Sequence, residues 1–423
     1  MLKVSKRRLA SIACLSLLLG RSLQVDARTD VLGQLDYEVT VFTEDSAYGL
    51  EQGVKNSFAL RGEIYQDWDD GYQSVTFQPF YRWDENDSER SHGDVRELLW
   101  HKVGLGYELK AGIGKVFWGV TESTHLVDIV NQTDLVESID AEQKLGQPMV
   151  QLMFERDWGN LDLFILPYQR ERTFPGIDGR LSGGLEVSDA KYESSDKQNH
   201  VALAARYYSY FDNLEYAVSG FYGTSREPVL GFNPLSGQGG SVLPYYPLIT
   251  QLGLELQYLS QGWAWKLESI WRDGMPRANN LGQPAAVNTP QGLMVAESDD
   301  YWASVAGFEY TQVGILDTRI DLGWVVEHLY DSRQERASMS AFEHDVLLGT
   351  RWSFNDIAQS SVLAGILYDY EYTDYAFSVE AATRFSGYFS VDLEVRLFAP
   401  SQGNPQYPLR SDDFIEVTFQ YYF

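Results

Sequence analysis

Apolar and polar residues alternate with a period of two in short runs along nearly the whole chain. That pattern belongs to β-strands with one apolar and one polar face. Eighteen such runs are predicted, near residues 33–43, 56–67, 72–83, 94–102, 104–116, 148–157, 160–169, 199–210, 213–224, 247–260, 262–272, 299–311, 316–329, 342–354, 359–371, 374–385, 387–398 and 412–423. In 387–398, Phe389, Val391, Leu393, Val395 and Leu397 share one face, and Asp392, Glu394 and Arg396 share the other. In 262–272, Trp263, Trp265, Leu267 and Trp271 oppose Lys266, Glu268 and Arg272. In 316–329, Ile320, Leu322, Trp324 and Val326 oppose Arg319, Asp321, Val325 and Glu327.

The connections alternate as well. Tight links fall at Asp67–Gly71, Lys102–Val103, Asp157–Asn160, Phe211–Asn213, Ser260–Gly262, Gln312–Ile315, Asn355–Ala358 and Ser386–Gly387, most of them carrying the Gly, Asn or Asp that turns need. Longer polar connections lie between them, at 44–55, 84–93, 117–147, 170–198, 225–246, 273–298, 330–341 and 399–411, and the link at 372–373 is a short exception. A meander whose short and long links alternate has all its short links at one end. A soluble sandwich has no reason to keep that rhythm.

The chain ends on an alternating strand, Ile415 to Phe423, with Tyr421, Phe419, Val417 and Ile415 in phase with the terminal Phe423. This resembles the C-terminal strand of bacterial outer-membrane β-barrels. The resemblance implies that Phe423, Tyr421 and Phe419 form a signal read by the barrel-assembly machinery. The expected fold is all-β: a transmembrane, antiparallel, up-and-down barrel of about 18 strands, with 16 as the alternative and both termini periplasmic. A terminal strand of a soluble sheet is the competing reading. In a membrane barrel the charged faces must point into the lumen, because Arg or Lys on the lipid face costs roughly 2–4 kcal/mol at mid-bilayer. A barrel of about 16 to 18 strands leaves an aqueous channel. No plug domain is expected before the first strand.

The N-terminus carries Lys3, Lys6, Arg7 and Arg8, then an apolar run from Leu9 to Leu19, then Val25-Asp26-Ala27. Residues 1–27 are expected to be a secretory signal peptide and 28–423 the barrel. The only cysteine, Cys14, falls within that segment, and Ser11-Ile12-Ala13 before it is a poor lipoprotein box. The cleaved chain would therefore have no disulfide, cysteine nucleophile or thiolate metal site.

The whole sequence holds 33 basic and 60 acidic residues; five basic and one acidic lie in 1–27, leaving 28 and 59, a formal charge of −31. That sign disfavours nucleic acid and docking on anionic lipid, and favours metal cations or cationic solutes. Outer-loop carboxylates could bind divalent cations. Tyr and Trp number 27 and 11, as aromatic girdles at two membrane interfaces would require.

The third long connection is moderately hydrophobic and acidic. It contains Asp128, Asp134, Glu137, Asp140 and Glu142 against a single Lys144. Its lead-in, Gly114-Lys115-Val116-Phe117-Trp118-Gly119, followed by Asn131-Gln132-Thr133-Asp134-Leu135, resembles a motif of porin-like families: Gly-Arg/Lys-x-x-x-Trp-Gly, then Asn-Pro-x-Asp-Leu. Here Gly114-Lys115 stands one residue closer to Trp118, and Gln132 replaces the Pro. In general porins the third outer loop folds inward and presents carboxylates to a basic wall. The resemblance implies a constriction formed by those five carboxylates, facing Arg61, Lys110, Arg206 and Lys266 on predicted lumen faces. The bland reading is a surface loop or a subunit contact.

Catalytic signatures are weak. None of His92, His101, His125, His200, His328 and His344 makes a zinc spacing, and Gly237–Gly240 is no phosphate loop. His125 lies near Ser123 and Asp128, which by itself is poor support for a hydrolase. No cofactor and no metal site are expected. The expected function is porin-like passive diffusion of small hydrophilic solutes or ions, with cations preferred. The alternatives are a substrate-specific channel using aromatic loops such as 225–246 with Tyr245 and Tyr246, a membrane hydrolase, or a non-conducting structural barrel. Expected partners are outer-membrane lipid and lipopolysaccharide, the assembly machinery and the solute, with no nucleic acid. The sequence leaves monomer and trimer equally open.

Overall fold

The computed structural model describes residues 28–50, 52–236, 240–277, 285–334, 342–404 and 406–423. The expected signal peptide, residues 1–27, lies outside the described residues.

Eighteen strands form one closed sheet. They are β1 (Arg28–Phe42), β2 (Val54–Trp68), β3 (Gln73–Asp84), β4 (Gly93–Gly104), β5 (Tyr107–Gly114), β6 (Gln147–Arg156), β7 (Gly159–Leu166), β8 (Ala202–Phe211), β9 (Leu214–Thr224), β10 (Leu248–Ser260), β11 (Trp263–Pro276), β12 (Ser298–Gln312), β13 (Asp321–Asp331), β14 (His344–Ser353), β15 (Ser361–Asp369), β16 (Tyr375–Arg384), β17 (Phe389–Ala399) and β18 (Phe414–Tyr422). Each pairs antiparallel with the next in sequence. β1 closes the ring on β18, from Gln34↔Tyr422 to Phe42↔Phe414. All eighteen predicted strands are present. Closure satisfies the backbone donors and acceptors of every strand, which a membrane demands.

Some boundaries moved. The turn after β4 sits at Leu105–Gly106, not at Lys102–Val103, because Gly106 supplies the left-handed φ of 72° that the reversal needs. β13 starts at Asp321 rather than 316, since Ile315–Asp317 forms a 3-10 turn with Leu316 and Asp317 at φ 53° and 57°. β8 starts at Ala202, after a 3-10 turn over Lys197–Asn199.

The outer face is an apolar belt. Leu98, Val150, Ile165, Leu252 and Ile366 all point outward and are exposed. Aromatic pairs border the belt at both ends: Trp158–Tyr207, Trp263–Trp265 and Tyr421–Phe423 near the turns, and Phe58–Trp83, Trp302–Tyr330 and Tyr368–Tyr370 near the loops. Among the described residues no helix is long and apolar enough to cross a membrane; the strands make the crossing.

The long connections gather at the end opposite the termini. Three of them supply short strands, Lys191–Tyr192, Val229–Asn233, Ser241–Tyr246, Ala286–Thr289 and Gly292–Val295, which form a second, five-stranded sheet. Tyr245 and Tyr246 lie in it at 5% and 0% exposure, so they pack the loops rather than face solvent.

The interior is not polar throughout. Trp118, Val127, Ile129 and Val130 of the segment 117–147 pack against the inward-facing Met149, Phe164, Ala204, Phe221, Ile270 and Ala303. Part of the lumen is therefore a dry core. Gly253 makes room for it: a Cβ there would stand 3.1 Å from Val127 Cγ1.

Candidate functional site

The segment 117–147 leaves β5, crosses the inside of the barrel and returns to β6. Its ends are stapled by Asn131. The Asn131 side chain donates to the carbonyls of Gly114 (2.9 Å) and Leu145 (2.8 Å) and accepts from the Val116 N–H (2.9 Å). Trp118 is 1% exposed and meets Phe164 edge-on at 5.7 Å. Gln132, in the place of the motif proline, is buried and donates to the Arg170 carbonyl at 3.2 Å. The motif residues thus build the base of the loop.

Two wall carboxylates hold the loop by its backbone. Glu268 on β11 accepts from the N–H groups of Val120 (2.7 Å), Thr121 (3.0 Å) and Val127 (3.3 Å), and from the Thr121 hydroxyl (2.7 Å). Glu327 on β13 accepts from the N–H groups of Glu122 and Ser123 (both 2.8 Å) and from the Ser123 hydroxyl (2.6 Å). Charged acceptors make such bonds shorter and stronger than neutral ones.

Wall guanidinium groups hold the loop by its side chains. Arg82 on β3 grips Glu137 through two bonds of 2.8 and 2.9 Å, and also meets Glu38 on β1 at 3.0 Å. Arg96 on β4 lies 2.5 Å from Asp134. Arg351 on β14 binds Glu122 at 2.6 Å, and Arg396 on β17 binds Asp140 at 2.7 Å. The tethers run from β3 round to β17, so the segment spans the interior from wall to wall.

The five carboxylates singled out from sequence divide into two groups. Asp128 is buried beside Lys144 at 3.4 Å, and burial raises its pKa. Asp134 is fully buried; burial opposes its charge, but His92, Arg96 and the Thr173 hydroxyl outweigh this and hold it down at about 2. Glu137 is spent on Arg82. These three point into protein. Asp140 and Glu142 are exposed toward the open side of the lumen. Glu142 has no ion-pair partner among the described residues, and its pKa is raised by partial burial and by Asp140.

The four basic residues singled out do face inward, but they pair within the wall or stand apart from the loop. Arg61 meets Asp36 at 3.0 Å, Arg206 meets Glu255 at 2.6 Å, and Lys266 meets Glu309 at 3.5 Å. Lys110 faces inward on β5 opposite His101. The wall guanidinium groups that pair with loop carboxylates are those of Arg82, Arg96, Arg351 and Arg396 instead, while Arg90 and Arg226 bond the loop carbonyls of Val136 and Val130. The inward facing of the four wall groups is readable from alternation, and Arg396 was placed on the polar face of its strand. Which carboxylate each one meets is set across the lumen and leaves no local trace.

Ser123 and His125 do not form a pair. The hydroxyl donates to Glu327, while the imidazole faces Glu268 at 3.7 Å and Phe117 edge-on at 4.6 Å. Phe419, Tyr421 and Phe423 all face outward beside the closing seam.

On the open side of the lumen, Arg396 is ringed by acids: Asp140 at 2.7 Å, Glu380 at 2.6 Å and Glu394 at 2.6 Å. Arg61, Arg351 and Glu380 keep 42%, 38% and 44% of their side-chain surface in water although they point into the barrel. Charged side chains beside the loop are therefore open to solvent inside the barrel.

No family model matches the chain, and no curated protein sequence matches it. Solved structures similar to it in fold include OprB of Pseudomonas putida at high pH, with TM-score 0.46 and 11% identity over 93% of this chain and 94% of that one. A double mutant of the Rh. blastica porin has TM-score 0.43 and 12% identity over 94% of this chain and 100% of that one. The architecture itself, a closed antiparallel barrel of eighteen strands with an apolar outer belt and a loop laid across its lumen, is that of a transmembrane β-barrel.

Proposed function

We propose that this protein is a channel of the bacterial outer membrane for passive diffusion of small hydrophilic solutes or ions, narrowed by residues 117–147 and selective for cations. The observation that carries the reading is the hydrated charge inside the barrel. Inward-facing Arg61, Arg351 and Glu380 remain in water beside a loop that fills the rest of the lumen. Opposed rows of carboxylate and guanidinium set up a transverse field that favours polar over apolar solutes. Cation preference rests on the local balance, with Asp140, Glu380 and Glu394 sharing the one guanidinium of Arg396 and Glu142 lying nearby. The loop carboxylates that set selectivity in this reading are Asp140 and Glu142, while Asp128, Asp134 and Glu137 fix the loop.

The test is conductance of the purified, refolded protein in a planar bilayer under a salt gradient. The expected result is stepwise conductance with a reversal potential of cation-selective sign. Absence of conductance would overturn the reading. Flux that is linear in solute concentration supports general diffusion; saturating flux would move the assignment to a channel with a defined ligand.

A further inference from the structure

Three carboxylates converge on the inner face at the loop end of β14 and β15. Asp345 and Asp369 stand directly opposite each other in the ladder, both turned inward and buried at 1% and 6% exposure. Like charges directly opposite destabilise a strand pair. Each keeps one oxygen on the backbone: Asp345 Oδ2 accepts from the Glu343 N–H at 3.0 Å, and Asp369 Oδ1 accepts from the N–H groups of Glu371 (2.7 Å) and Tyr372 (3.0 Å). The pair alone would be only an acidic patch.

Glu343 is the second observation. The residue is 3% exposed, and one oxygen of each of the three residues lies within 4.8 Å of the others. No donor or basic group among the described residues meets its carboxylate; its backbone N–H is committed to Asp345, and its electrostatic neighbours are acids. A buried carboxylate with neither a donor nor a counter-ion is costly. Burial first, then Asp369 and Asp345, push its pKa up to about 8. Among the described residues no basic group offsets this charge, and a proton or a metal cation would relieve it.

We propose that Glu343, Asp345 and Asp369 bind one divalent cation, Ca2+ by preference, which pins the outer end of β14 to β15. Hard oxygen donors in a convergent, largely desolvated cage suit Ca2+, whereas Mg2+ retains several waters and is seldom held by protein carboxylates alone. The site is built into the wall, and is distinct from the exposed carboxylates of the passage.

The experiment is calorimetric Ca2+ titration of the refolded full-length protein after chelation, paired with thermal unfolding with and without Ca2+. Glu343→Gln and Asp369→Asn are compared with the parent, and barrel formation is checked by heat-modifiable gel migration. The expected result is one saturable site per chain and a Ca2+-dependent rise in the unfolding midpoint. Affinity should fall about tenfold or more in either variant, with the midpoint response lost. If Asp369→Asn fails to fold, Glu343→Gln decides, since Glu343 lies outside the strands. Lack of saturable binding by the parent overturns the proposal in favour of a shared proton. Unchanged affinity and midpoint response in Glu343→Gln overturn it in favour of other carboxylates.

Discussion

The backbone of Phe423 exchanges two hydrogen bonds with Gly33, Phe423 N to Gly33 O at 2.9 Å and Gly33 N to Phe423 O at 2.8 Å, and the phenyl ring covers the place a Cβ on Gly33 would take. The first and last strands thus meet through a residue without a side chain and one with a ring. The ring continues the aromatic stack on Tyr421 at 5.8 Å.

This contact predicts coupling. Gly33→Val should destabilise the barrel by about 1–3 kcal/mol, the usual cost of overpacking. In a Phe423→Ala background the same substitution should cost much less, because the ring it strikes is gone. A double-mutant cycle on the urea midpoint of detergent-folded protein measures this. Additive costs would mean that the ring and Gly33 act independently.

The loop carboxylates should separate into two behaviours. Asp140→Asn and Glu142→Gln should move the reversal potential toward anions and change stability by less than about 1 kcal/mol, since both are exposed. Arg82→Leu should do the reverse. It strands Glu137, while Glu38 keeps Arg90 at 2.6 Å, and breaking a buried ion pair costs about 3–5 kcal/mol. Reversal potentials and unfolding midpoints of the three variants check the division.

Glu268→Ala should release the loop. The change leaves the Val120, Thr121 and Val127 N–H groups without their acceptor, while the Thr121 hydroxyl keeps the Thr124 carbonyl at 2.7 Å. Each unsatisfied buried donor costs about 1–3 kcal/mol. Faster proteolysis within 117–147 and noisier single-channel current are expected. A quiet, protease-resistant loop in this variant would show that the anchor lies elsewhere.

Asp134 and His125 give opposite pH dependences. Asp134 is held at about 2, below the ordinary carboxylate value, so its contribution is complete above that ordinary value and is lost as pH falls toward 2. The shift corresponds to about 2 kcal/mol, which Asp134→Asn should abolish. His125 is raised by Glu268 despite burial. Its contribution is complete below the ordinary histidine value and is lost as pH rises through the raised one, and His125→Gln should remove that alkaline decline. Proteolysis of the loop as a function of pH reads both limbs.

All eighteen strands and their facing were legible in the chain, because a membrane barrel writes one rule into every strand. Lipid excludes charge from alternate positions, so Trp263, Trp265 and Trp271 had to oppose Lys266, Glu268 and Arg272 wherever the strand sat. Most turns are legible through residues that suit a reversal: Gly262 marks its turn, whereas Gly106 lies outside the predicted Lys102–Val103 link and Leu316 takes a left-handed φ that its residue type does not announce. The tertiary structure alone decided what occupies the lumen. Asp134 and Asp140 look alike in sequence, yet one is buried against Arg96 and the other stands in water beside Arg396. Those partners come from strands far apart in the chain and face each other only after β1 has closed on β18. Alternation records which side of the wall a residue takes; what it meets across the interior follows from closure.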